Sequence, residues 1–226
     1  MYENLIKDFN DVINTNDVFN SFIFNFALNS LEESDTNLKF LIGVPGSGKS
    51  FLIRYYERRY PDTIVLQGTI SKDELLEFLY KDVLIVIDEA QLLDMKLIEY
   101  IRTLTDTKEY NFLLSMHTKE AKEILEKEHF KSRTIDVIEL TPITKAEMVQ
   151  YINSKLLRNN AHHIFSNREF NKIYNYTHGN FRYIKKFVKT LFELLEFAHK
   201  NNLSKYKKVN SCLITMTAIK LGLEND

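Results

Sequence analysis

The chain of 226 residues contains no tryptophan, one cysteine, three prolines and only six glycines. A single cysteine, Cys212, excludes an internal disulfide framework and a cysteine-rich zinc site, and it fits a reducing compartment. There is no excess charge of one sign either. The 30 basic and 31 acidic residues leave a formal net charge of -1, so composition alone demands neither nucleic acid nor a membrane surface as partner. No apolar run approaches the roughly 20 residues that span a bilayer. Glu3, Lys7, Asp8 and Asp11 break up the apolar residues near the start, where a secretory signal would be continuous. The sequence therefore predicts a cytoplasmic protein, with any attachment at an inner membrane supplied by a partner. What is present, 44% hydrophobic and 27% charged residues, suits one α/β domain with a small appendage.

Short apolar runs of strand length recur at 38–42, 63–66, 83–87, 111–116 and 135–140. Helix-start chemistry lies between and after them. Ser71 with Glu74 and Thr144 with Glu147 both fit the capping box, in which each side chain satisfies the other residue's backbone donor. Leu97, Ile98, Ile101 and Leu104 form an apolar stripe at helical spacing after Asp94. Alternation of strand and helix predicts a five-stranded parallel sheet covered on both faces, an α/β class. After Leu140 the strand signals stop, and helices are expected near 145–158, 167–177, 181–199 and 211–222. The expected organisation is an N-terminal helical segment (1–37), an α/β core (38–141), a helical lid (142–200), and a connector with a final helix (201–226). In the first segment Leu5, Ile6, Phe9, Val12 and Ile13, then Phe19, Phe22, Ile23 and Phe26, predict two helices. Phe22, Phe24 and Phe26 are expected in the core or at a subunit interface.

Three of the six glycines fall between Gly43 and Gly48. The segment Gly43-Val44-Pro45-Gly46-Ser47-Gly48-Lys49-Ser50 has two glycines five apart followed by Lys and Ser, with a predicted strand before it and a helix after it. Glycine lets the backbone turn tightly and approach phosphate oxygens with its N–H groups, and the helix amino terminus adds positive potential. The expected nucleotide contacts are Gly43, Pro45, Gly46, Ser47, Gly48, Lys49, Ser50 and Phe51. Lys49 would meet the β and γ phosphates of ATP, and the Ser50 hydroxyl would ligate Mg²⁺.

In VLIVIDEAQ (83–91) an apolar strand ends on two carboxylates. Asp88 is expected to complete the Mg²⁺ shell through water, and Glu89 to accept a proton from the attacking water. A carboxylate aimed at water favours hydrolysis over phosphate transfer to a metabolite.

The phosphate loop, the IDEAQ segment and the elements that follow resemble the AAA+ P-loop ATPases over roughly 35–200, and among them the ExeA-type ATPases of secretion pathways. The resemblance implies ATP hydrolysis with Mg²⁺ between core and lid. It further implies that His117, or else Ser115, in NFLLSMHTKE senses the γ phosphate, and that Arg133 in HFKSRTIDVIEL reaches a neighbouring subunit's nucleotide. Arg182 in THGNFRYIKK then acts as the lid's sensor arginine, with Phe181 standing where the family has proline. An accessory role in a type II secretion, type IV pilus or DNA-uptake apparatus follows, with self-association through Arg133 and a protein partner that could be membrane-bound.

Two alternatives stand beside this reading. One is a DNA-binding helper of transposition or recombination, drawing on Lys185, Lys186 and Lys189 with Lys205, Lys207 and Lys208. The other is a nucleotide-gated assembly protein with little hydrolysis. The adjacent His162 and His163 would diverge on a helix and make a poor metal pair.

Overall fold

The computed structural model describes residues 2–132 and 134–223. They divide into two units, one formed by residues 14–141 and the other by the chain up to Ile13 together with that from Pro142 onward. Arg133 lies outside the described residues.

The first unit opens with α2 (Phe22–Glu33), which follows the short α1 (Glu3–Asp8) of the other unit. Strand β1 (Leu38–Gly43) then leads to α3 (Lys49–Arg59), β2 (Thr63–Gln67), α4 (Lys72–Glu77) and β3 (Leu84–Asp88). After a 3₁₀ turn (Ala90–Leu92) come α5 (Met95–Asp106), β4 (Asn111–Met116), α6 (Thr118–Leu125), α7 (Glu128–Lys131) and β5 (Asp136–Leu140). The five strands are all parallel in the order β2-β3-β4-β1-β5. This is the parallel α/β sheet that the apolar runs predict.

Side chains alternate across the sheet because successive Cβ atoms point to opposite faces. Phe40, Ile42, Ile85, Ile87, Phe112 and Leu114 enter one core with residues of α4 to α7. Leu41, Val86, Leu113 and Ile138 enter the other with Leu28, Leu31, Leu52 and Ile53 of α2 and α3. Burial on both faces is what makes these strands near-continuous apolar runs.

In the second unit, α8 (Lys145–Arg158), α9 (Asn167–Thr177), α10 (Phe181–Lys200) and α11 (Ser211–Leu221) pack with α1. Phe9 is fully buried there, edge-on to Tyr151 and stacked with Phe192. Both predicted capping boxes form: Ser71 N–H donates to Glu74 and Thr144 N–H to Glu147, each at 2.8 Å.

The first 37 residues depart from the helical stripe in one respect. α1 ends at Asp8, so Val12 and Ile13 are exposed. Asn and Asp at 10, 11, 14, 16 and 17 favour turns through side-chain competition for backbone groups, which outweighs the apolar spacing. In α2 Phe24 is buried, while Phe22 and Phe26 are exposed and stack on each other.

Candidate nucleotide site

The glycine-rich loop leaves the carboxyl end of β1, an inner strand, and runs straight into α3. Gly46 (φ 83°) and Gly48 (φ 107°) take left-handed backbone, which an L side chain adopts only at a cost. A Cβ on Gly43 would lie 2.5 Å from Ser47 Oγ and 2.7 Å from the Leu140 carbonyl, so the loop closes only over glycine. Lys49 is 5% exposed, and its Nζ donates to the carbonyl of Gly43 at 2.8 Å. Ser47 Oγ is buried and has no hydrogen-bond partner among the described residues. Ser50 is the second residue of α3, in its amino-terminal turn, where backbone N–H groups lack intrahelical acceptors. The ring of Phe51 packs on Phe24 with centroids 5.7 Å apart, which leaves its main-chain N–H as its contribution to an anion.

Asp88 ends β3, 7% exposed. Strand β4 lies between β3 and β1, and its Ser115 donates a hydrogen bond of 2.8 Å to Asp88 Oδ1. The same oxygen accepts the backbone N–H of Glu89 at 3.0 Å. Glu89 itself takes left-handed backbone, φ 56° and ψ 39°. Its carboxylate oxygen Oε2 lies 3.6 Å from Nε2 of His117, the residue that follows β4 and caps α6. Loop, Asp88, Glu89 and His117 all belong to residues 14–141 and stand at the carboxyl ends of parallel strands, the usual place for a ligand in such sheets.

Arg182 belongs to the other unit. It sits in the first turn of α10, half-exposed, with Nε 3.3 Å from Asp11 Oδ2. Gly179 precedes it at φ 72°, and a Cβ there would lie 2.1 Å from the Ile143 carbonyl.

Three residues escaped the motif reading in whole or part. Ser115, the second choice for a phosphate sensor, donates to Asp88 Oδ1, a contact that the motif does not signal. Gly68, just after β2, donates its N–H to the Asp88 carbonyl at 2.7 Å and has no room for a side chain against Glu89. Gln91 donates a hydrogen bond to Glu89 Oε2. Only Gln91 carried a local hint, its place two residues beyond a strand-end glutamate.

No protein-family model matches the chain, and no curated protein sequence matches it. Solved structures do. The Walker-type ATPase PABY2304 of Pyrococcus abyssi aligns at 15% identity and TM-score 0.66, over 88% of this chain and 78% of its own. RuvB, the Holliday junction branch migration motor of Thermotoga maritima, aligns at 19% identity and TM-score 0.58, over 86% of this chain and 65% of its own. Domain III of the Thermotoga maritima replication initiation protein DnaA aligns at 18% identity and TM-score 0.55, over 92% and 94%. The chain therefore has a P-loop NTPase fold, a five-stranded parallel sheet flanked by helices and followed by carboxyl-terminal helices. No described helix is long and apolar enough to cross a membrane.

Proposed function

We propose that the protein is an ATPase that binds ATP with Mg²⁺ and transfers the γ-phosphoryl group to water. The observation that carries this reading is the convergence at one sheet end of a glycine-built loop with an orphaned buried hydroxyl, Ser47, and two successive carboxylates, Asp88 and Glu89. A buried hydroxyl without a partner is costly unless a ligand supplies one. Among the described residues no cluster of three or more acidic, histidine or cysteine side chains could hold a metal. Mg²⁺ keeps several waters and is held by one or two protein oxygens plus substrate phosphates, so Ser50 and Asp88 would suffice on the protein's side.

Mg²⁺, when bound, supplies positive charge to the phosphate oxygens. The chain's own residues do the rest. Lys49 turns from the Gly43 carbonyl to the β and γ phosphates, and the loop N–H groups from Gly43 to Phe51, past Pro45, cradle them. Ser50 and Asp88 would hold the metal, while Ser115 orients the Asp88 carboxylate by donating to it. Glu89 accepts the proton of the attacking water. The water oxygen bonds to the γ phosphorus, and the bond from that phosphorus to the bridging oxygen breaks with its electron pair leaving on ADP. His117, beside Glu89, would meet the γ phosphate.

The narrower reading rests on the order of motifs alone. It is an ExeA-type accessory ATPase for a secretion, type IV pilus or DNA-uptake apparatus, in which Arg133 completes a neighbour's site and Arg182 reports nucleotide state. For Arg182 that role requires release of Asp11. The test is ATP turnover across protein concentration for the wild type and Glu89→Gln. Turnover rising faster than linearly with protein, and lost in the variant, is expected. A wild type that binds ATP but never turns it over, alone or oligomerised, would move the reading to a nucleotide-gated switch.

A further inference from the structure

Glu89 has a neighbour to which the motifs give no role. Gln91 lies in the 3₁₀ turn after β3, and its Nε2 donates to Oε2 of Glu89, the oxygen that also faces Nε2 of His117. The amide's other end, Gln91 Oε1, is buried and accepts no hydrogen bond among the described residues. An unsatisfied buried acceptor is destabilising, and an apolar side chain of the same length would fill the space without that cost. Packing therefore does not account for an amide here, whereas its donor does something specific.

The backbone supports the same conclusion. Gly68 presses against the Glu89 carbonyl so closely that an added Cβ would lie 2.0 Å from it, and that carbonyl accepts the Leu92 N–H at 3.0 Å. Main chain and one carboxylate oxygen are thus both held. Among the described residues no hydrogen bond engages Oε1 of Glu89, so the held oxygen decides which one faces water.

We propose that Gln91 is a positioning residue for hydrolysis: its amide donor holds Oε2 of Glu89 so that Oε1 receives the proton of the attacking water. The proposal rests on the ATPase reading above. His117 provides a second, longer contact to the same oxygen, which does not replace the amide because 3.6 Å exceeds a good hydrogen bond.

The test uses the full chain and two variants, Gln91→Met, which keeps the shape and removes the donor, and Gln91→Glu, which keeps the shape and places an acceptor against the carboxylate. A charge-assisted hydrogen bond predicts that kcat falls on the order of tenfold in Gln91→Met and at least as far in Gln91→Glu. Affinity for a fluorescent ATP analogue should stay within about twofold, since a positioning residue acts on the chemical step. In the Glu89→Gln background, adding Gln91→Met should slow the residual rate no further. Wild-type kcat in Gln91→Met, or additive losses in the double variant, overturns the positioning role while leaving the ATPase reading intact. Failure of the wild type to hydrolyse ATP at all removes both, and Glu89→Gln then matches it.

Discussion

The hydroxyl of Ser115 on β4 donates a 2.8 Å hydrogen bond to Oδ1 of Asp88 on the neighbouring strand β3. Both side chains are buried, so the bond is formed in a medium where an unpaired carboxylate is expensive.

Replacing Ser115 by alanine removes that donor while leaving the carboxylate in place. The expected cost is about 1–2 kcal/mol, which for a chain of this size lowers Tm by roughly 2–8 °C. Thermal melts with and without Mg²⁺ and ATP check both the loss and its partial recovery by ligand. An unchanged Tm would mean that water replaces the hydroxyl at no cost.

Lys49→Ala should weaken ATP binding by at least about tenfold, the worth of one charge-assisted hydrogen bond. In the protein alone the Lys49 amine bridges the carbonyls of Gly43 and Val44 across its own loop, contacts that the substitution removes as well. Isothermal titration with the nucleotide, paired with circular dichroism, separates the two effects. Wild-type affinity in the variant would refute the phosphate-binding role.

Gly179 and Gly222 both take left-handed backbone, yet their surroundings differ. A Cβ at Gly179 meets the Ile143 carbonyl at 2.1 Å, while one at Gly222 meets nothing within 4 Å among the described residues. Gly222→Ala should cost only the conformational penalty, about 1–2 kcal/mol. Gly179→Ala adds a backbone clash and should cost several kcal/mol, about 3 or more. Urea denaturation compares them directly, and equal losses would contradict the contact.

Lys155 is 3% exposed on α8. Burial, reinforced by the Arg158 guanidinium and opposed by Asp8, pushes its pKa down from 10.5 to about 8. Between these values the unfolded chain holds a proton that the folded chain has released, so stability should rise with pH from about 8 to about 10.5. Burial lowers Lys39 and Lys185 too, with the same sign, so the wild type alone does not isolate Lys155. Comparing wild type with Lys155→Met by urea denaturation at pH 7 and pH 9.5 does. The variant should gain less stability between the two pH values, and parallel behaviour would rule out Lys155 as the titrating group.

The glycine-rich loop and the strand-end carboxylates are legible in the sequence because each is a local device, a run of glycines with a lysine or an apolar strand closing on two acids. The five strands are legible for a similar reason, since burial on both faces makes each a short apolar run. His117 and Ser115 were not separable by this route. They stand two apart at the end of one strand, and which of them meets Asp88 depends on β4 lying between β1 and β3.

Sequence alone determined that this chain builds a parallel α/β sheet with a glycine-rich loop after one strand and paired acids after another. Tertiary structure alone decided what surrounds those acids: Ser115 on Asp88, Gly68 under the Glu89 backbone, Gln91 and His117 on one oxygen of its side chain, and Asp11 on Arg182. Most of these partners lie tens of residues apart or more, and Gln91 depends on a turn that follows a left-handed residue. Strand order and backbone path, rather than spacing along the chain, bring such groups together.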